Sequence, residues 1–293
     1  METAHEKIRA KSNETWAKSS NEAAAMLNVI RWELRQRRNA IVWWTIGSIV
    51  LTVVILMLFP SIRDKAADMN KVINALPAEL RGLKTGGATS VDVGNPLQFL
   101  NSQVFYATLP ILWIILAITR GGAILGRDEQ THTLEVLLAR PISRTRLLLA
   151  KAASLLLEFG IVAGTTLLAI VLLCPLFDLS VGAGKLAVTT LYTALFSLSF
   201  GYIAFALHAA SKLTKRGATT FAVALGFGGY ILASLSTMTD WLKWPVKFVP
   251  YHYFTPLDSL SGKTPRGLVM YVLLVFILGT LVAILGFRHR DIE

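Results

Sequence analysis

The chain has 293 residues, 54% of them hydrophobic and only 16% charged, with a mean hydropathy of +0.55. A soluble domain carries about 25% charged residues and a disordered chain needs low hydrophobicity with high charge, so both classes are excluded. One cysteine, Cys174, excludes a disulfide scaffold. The net charge of +11 leaves nucleic acid or anionic lipid as partners, and the placement of the charges decides between them.

The first 38 residues hold eight Lys or Arg, five acids and no apolar run, so no cleavable signal is expected. Within them, Asn21–Arg38 reads as an amphipathic helix. Met26, Leu27, Ile30 and Leu34 form one stripe of a 3.6-residue period. Arg31, Arg35 and Arg38 follow another face, and Glu33 is placed to pair with Arg37 at i+4. The helix is expected to lie along the inner membrane surface, with the stripe in lipid and the arginines at the headgroups. A solvated helix is the alternative.

Six apolar stretches follow, each near the 20 residues that cross a bilayer as a helix. They are Ile41–Phe59, Val104–Leu125, Ala152–Phe177, Leu186–Ala210, Gly217–Met238 and Gly267–Phe287. The predicted fold is therefore an all-α polytopic membrane protein with a cytoplasmic segment 1–38, a six-span domain 39–287 and a tail 288–293. If both termini face the cytoplasm, the inside segments carry 18 Lys or Arg over 76 residues and the outside segments (61–103, 178–185 and 239–266) carry 10 over 79. The positive-inside rule then places both termini in the cytoplasm. The charge thus belongs to loops beside a plasma (inner) membrane, and no nucleic-acid partner is expected.

The segment 126–151 carries the most information. Asp128 and Glu129 read as the start of a short helix, where negative charge suits the helix dipole, and Arg140 as its end. Pro141 stops it. Leu134, Leu137 and Leu138 make an apolar edge, interrupted by Glu135. Ser143 is placed to cap the next helix. A docking element and an ordinary loop lying on lipid both fit this pattern.

The run Glu129, Thr133, Leu134, Glu135, Leu137, Leu138, Pro141, Ile142, Ser143, Arg144 and Lys151 resembles the loop between spans two and three of type-2 ATP-binding-cassette permeases, the membrane subunits of bacterial exporters. His132 departs from it, standing where that family has Gly. The basic pre-span helix, the long first outside loop and the aromatic segment before span six extend the resemblance over most of the chain. It implies that 126–147 is a coupling loop docking on a cytoplasmic ATPase through Glu129, Thr133, Leu134, Glu135, Leu137, Leu138, Arg140, Pro141, Ser143 and Arg144. It also implies two ATPase copies holding ATP and Mg, and a second permease, identical or paralogous. No cofactor is expected on this chain, which is read as non-catalytic.

Motif searches agree with that reading. Gly262-Lys263-Thr264 matches only the tail of a phosphate-binding loop, because the first position is Leu257. There is no His-Glu-x-x-His and no Gly-x-Ser-x-Gly. The five histidines are scattered without ligand spacing, so no metal site is expected. Three polar groups fall in or near the bilayer: Arg120, Glu158 and His208. Such groups are paired or functional. Glu158 lies about 10 Å beyond Lys151 along the helix, so an Arg120–Glu158 pair is expected as structural glue, with His208 a second candidate. Gly122-x-x-x-Gly126 and Gly160-x-x-x-Gly164 are possible close-approach points.

In 239–266, Trp241, Trp244, Phe248, Tyr251, Tyr253 and Phe254 with Pro245, Pro250 and Pro256 fit either short re-entrant helices or an interfacial aromatic belt. The resemblance implies the first, as a lid. The function read from the chain is a permease subunit that couples ATP hydrolysis in a partner to export of an unidentified substrate. An ATPase-independent channel or secondary transporter is the alternative, and an ATPase-coupled complex that extracts lipids or transmits force fits the same sequence.

Overall fold

The computed structural model describes residues 2–75, 92–131, 143–210, 215–236 and 240–288. Among these residues every regular element is helical. α1 (Glu2–Asp64) is one helix of 63 residues. No glycine or proline occurs before Gly47, so nothing breaks it between the amphipathic segment and the first span. At 1.5 Å per residue it is about 95 Å long, three times the hydrocarbon thickness. The expected apolar stripe does not face lipid. Ile30 is buried in the protein core, and Met26 and Leu34 pack against that core, while Leu27 is exposed. The stripe faces protein because α1 lies along the third apolar helix over much of its length.

After α2 (Ala66–Ala75), the second span is entered in steps. The Asn95 side chain accepts the Leu97 N–H at 2.9 Å and opens α3 (Pro96–Phe99), with Pro96 at its first position. A π-helical stretch, Leu100–Thr108, leads into α4 (Leu109–Gln130). Pro110 has no N–H to donate. Just ahead of it the winding is wider: the Leu109 N–H reaches the Val104 carbonyl, and the Thr108 hydroxyl donates to Gln103 O at 2.6 Å. The chain continues as α5 (Arg144–Leu173), a 3₁₀ turn (Cys174–Phe177), α6 (Ala183–Ala210) and α7 (Lys215–Leu235). Three short 3₁₀ turns precede α8 (Pro256–Leu260) and α9 (Arg266–Arg288).

Among the described residues, five helical stretches are long and apolar enough to cross a membrane: Glu22–Asp64, Pro96–Asp128, Arg144–Phe177, Ala183–Ala210 and Arg266–Arg288. The fifth predicted span, Gly217–Met238, corresponds to α7, which is not among those five. Its 21 residues measure about 31 Å, and it packs on α4 and α6. Lys151 near the start of α5 meets Glu33 of α1 and Asp128 at the end of α4, while Arg63 and Asp178 pair at the opposite end at 3.0 Å. So α1 and α5 run parallel, with α4 antiparallel to both. Many exposed side chains are large and apolar, such as Leu168, Leu172, Met270 and Ile277. A surface of this kind suits lipid rather than water.

α6 is the central helix, in contact with α4, α5, α7, α8 and α9. Three of its buried hydroxyls bond its own backbone: Thr193 donates to Thr189 O, Ser197 to Thr193 O and Ser199 to Phe196 O. Small side chains satisfied in this way let neighbouring helices come close without exposing polar groups to lipid. The tightest crossing is between α4 and α6. A Cβ on Gly121 would lie 1.8 Å from Gly201 O, and one on Gly201 would lie 2.3 Å from Ala117 O. By contrast, a Cβ on Gly160 or Gly164 would meet nothing within 4 Å, so that spaced pair does not mark a close approach. The α4–α6 contact rests on glycines from different helices, which spacing along one helix does not reveal.

Gly201→Leu is therefore expected to destabilise the fold by about 1–3 kcal/mol or more, through overpacking against backbone. Gly160→Leu should leave stability within about 0.5 kcal/mol, as at other unencumbered surface positions. Thermal unfolding of both variants in detergent checks the contrast.

Candidate functional site

Among the described residues, the buried Asp, Glu, Lys and Arg side chains converge at one end of the bundle. Arg120 and Asp128 are eight residues apart on α4, and Lys151 and Glu158 are seven apart on α5. Both spacings are two helical turns, about 10–12 Å. With the two helices antiparallel, Arg120 faces Glu158 and Asp128 faces Lys151. Arg120 Nε donates to Glu158 Oε2, and Lys151 Nζ donates to Asp128 Oδ2. Glu33 from α1 completes the cluster. Its Oε1 accepts from Lys151 Nζ, and its Oε2 stands 3.5 Å from Arg120 Nη2. All five residues are at most 4% exposed. The Lys151 ammonium also lies 5.3 Å from the centre of the Trp32 ring, a cation–π distance.

Three acids and two bases would leave this cluster with a net negative charge. Arg37, half-buried on α1 one turn beyond Glu33, lies within electrostatic reach of Glu158 and Glu33 and balances it. The two halves of the cluster are not equally bonded. Lys151 is held between two carboxylates. In the other half, Arg120 Nη1 and Nη2, Glu158 Oε1 and Arg37 Nε have no hydrogen-bond partner among the described residues. Buried polar atoms left in this way are costly, so this half has the most to gain from rearrangement.

Several expectations change here. Glu33 does not turn to Arg37 along its own helix; its carboxylate crosses to α5 and α4. Asp128 and Glu129 do not open a helix. They sit in the last turn of α4, where a negative charge opposes the helix dipole. For Asp128, the Lys151 ammonium offsets that penalty. Thr133, Leu134, Glu135, Leu137, Leu138, Arg140 and Pro141 lie outside the described residues, as does His132. Ser143 caps α5, its hydroxyl oxygen accepting the Arg146 N–H at 3.3 Å, and Arg144 is the exposed first residue of that helix. Arg146, one turn along, pairs with Glu22 of α1. His208 is buried towards the end of α6. The cluster thus sits where α4 ends and α5 begins, at the two roots of the 132–142 segment.

A second feature lies between α4 and α7. A cavity of about 400 Å³ is walled by Ile111, Ile114, Ile118, Val223, Phe227 and Tyr230, with Tyr251 at its edge. Tyr251 comes from the 239–266 segment, whose aromatic residues divide into two sets. Trp241, Trp244 and Phe248 are exposed, whereas Tyr251 and Phe254 are buried. Phe254 stacks on Phe196 of α6 with ring centres 4.1 Å apart, and Tyr251 meets the same ring edge-on at 4.9 Å. Pro245, Pro250 and Pro256 each stand at the start of a short helical turn. The segment therefore combines an outward belt with an inward aromatic plug.

Gly262-Lys263-Thr264 is a helix cap. Gly262 has φ +94°, and the Lys263 N–H donates to Asp258 O at 2.8 Å, closing α8. Among the described residues, no group of three His, Cys, Asp or Glu side chains is placed to hold a metal ion.

The apolar helices and their lipid-compatible surfaces define a polytopic membrane protein. The family described as ABC-2 family transporter protein matches residues 27–242, and the chain belongs to that family. It is thus a transporter membrane subunit of the ABC-2 permease type. No curated protein matches the chain.

Lys151→Met would leave Glu33 and Asp128 buried without their cation. The expected cost is about 3–5 kcal/mol, as for other broken buried pairs. Adding Asp128→Asn should recover at least half of it, because Glu33 and Glu158 then match Arg120 and Arg37 in number. Denaturation of the single and double variants in detergent measures the difference.

Proposed function

We propose that this chain is the permease subunit of an ATP-driven exporter, and that the 132–142 segment docks on a separate cytoplasmic ATPase. The observation that supports this best is the placement of the buried cluster. Force applied to the loop enters the bundle through the end of α4 and the start of α5. There the Asp128–Lys151 and Arg120–Glu158 pairs join both helices to each other and, through Glu33, to α1. A push on the loop therefore moves three helices together rather than bending one. Such a cluster costs much to bury unless rigidity is useful.

In this reading both termini and the loop face the cytoplasm across the plasma membrane, as the excess of Lys and Arg on that side implies. Two permeases, identical or paralogous, face each other, and two ATPases below them hold ATP and Mg. The apolar cavity between α4 and α7 favours a hydrophobic or amphipathic cargo. The Tyr251 and Phe254 plug closes the outer end of the bundle as a lid. An ion-coupled carrier would need charged groups along its route. The charges found here instead pair with one another at one end.

The test is isolation of the tagged chain from its own membranes in gentle detergent, with the co-purifying proteins identified by mass spectrometry. A soluble nucleotide-binding ATPase should accompany the native chain. It should be lost, by tenfold or more, with Glu135→Lys or Leu138→Asp. A chain that purifies alone and conducts its cargo without ATP contradicts the proposal and favours a channel or carrier.

A further inference from the structure

The face of α1 that turns away from the charge cluster has its own chemistry. Arg31, Arg35 and Arg38 stand at i, i+4 and i+7, within about 60° of one another around the helix. All three are exposed, and none has an ion-pair partner among the described residues. The acids nearby are already engaged. Glu33 is turned inward to Lys151 and Arg120, Asp128 is held by Lys151, and Glu22 is held by Arg146. The stripe is therefore a run of about 10 Å of uncompensated guanidinium.

Above it the same helix changes character. The i+4 row that starts at Arg38 continues through Val42, Ile46 and Val50, which are 44–54% exposed. Trp43, 71% exposed, flanks the point of change, where an indole marks a membrane interface. Because α1 is unbroken here, the apolar groups continue the cationic ones upward along one oblique row, which drifts about 40° around the helix at each step. A free anion would engage only the lower part of it. A molecule with a phosphodiester at one end and an alkyl chain at the other matches both parts in order.

We propose that this face of α1 binds an anionic phospholipid, with its phosphodiester on Arg31, Arg35 and Arg38 and an acyl chain along Val42, Ile46 and Val50. Guanidinium groups suit the task, since they bind phosphate in bidentate fashion. The bound lipid lies on the opposite side of α1 from Glu33, so it steadies the helix that carries the cluster's shared carboxylate. The site does not depend on the presence of an ATPase.

Native mass spectrometry of the full chain tests it, using phosphatidylglycerol and phosphatidylcholine with identical acyl chains. The native chain should retain phosphatidylglycerol over phosphatidylcholine by on the order of 100-fold at low salt, the preference that three arginines near a surface supply. Raised salt should weaken that preference. The triple variant Arg31→Gln, Arg35→Gln, Arg38→Gln should bring the two lipids near parity, while a triple change to Lys should keep most of the preference. Equal retention of the two lipids by the native chain overturns the proposal, whatever the variants do. So does an undiminished preference in the Gln triple. Displacement of the lipid by inorganic phosphate alone would identify a free-anion site and overturn it as well.

Discussion

A charge within reach of the hydrocarbon core must be paired, and this constraint organises one end of the bundle. Five buried ionisable side chains from three helices are arranged so that each acid faces a base. The helix packing follows from it. Two-turn spacings on α4 and α5 fix the register of that antiparallel pair, and Glu33 fixes the height at which α1 joins them. The opposite end has, among the described residues, exposed pairs such as Arg63–Asp178 and an aromatic plug. The molecule is thus held firmly by electrostatics at the end that carries the 132–142 segment, and by apolar and ring contacts elsewhere.

Much of this was legible in the sequence, for physical reasons that differ by residue. The apolar runs predict helices because a chain in lipid has no other way to satisfy its backbone. Arg120 and Glu158 were readable as partners because both are isolated charges at similar depth on consecutive spans. Asp128 with Lys151 carried the same signal, but Asp128 also suited a helix start, and the local reading concealed the distant one. Glu33 was hidden more deeply. Its partner Lys151 is 118 residues away, and an i+4 arginine offered a nearer solution. Tertiary pairing prevailed because burial removes solvent competition, whereas an exposed i+4 pair is worth only about 0.2–0.5 kcal/mol.

The amphipathic helix teaches a related lesson. Periodicity identifies an apolar stripe but not what covers it, and here the stripe meets protein while the arginine face is left open. In the 239–266 segment, composition fits both a belt and a plug. The prolines divide the segment into short turns that present Trp241, Trp244 and Phe248 outward and Tyr251 and Phe254 inward, a division that composition does not reveal. The Gly121–Gly201 contact had no sequence signature, since it joins two glycines eighty positions apart rather than a spaced pair on one helix.

The account depends on the charge cluster acting as a mechanical joint between helices. A double-mutant cycle on Arg120→Gln and Glu158→Gln, read by unfolding of the purified chain in detergent, tests this most directly. The account predicts a coupling free energy of about 1–3 kcal/mol between the two changes, as for residues within one ion-pair network. Additivity within about 0.3–0.5 kcal/mol, the behaviour of independent sites, would contradict it and would mean that the Arg120–Glu158 contact does not help to hold α4 to α5.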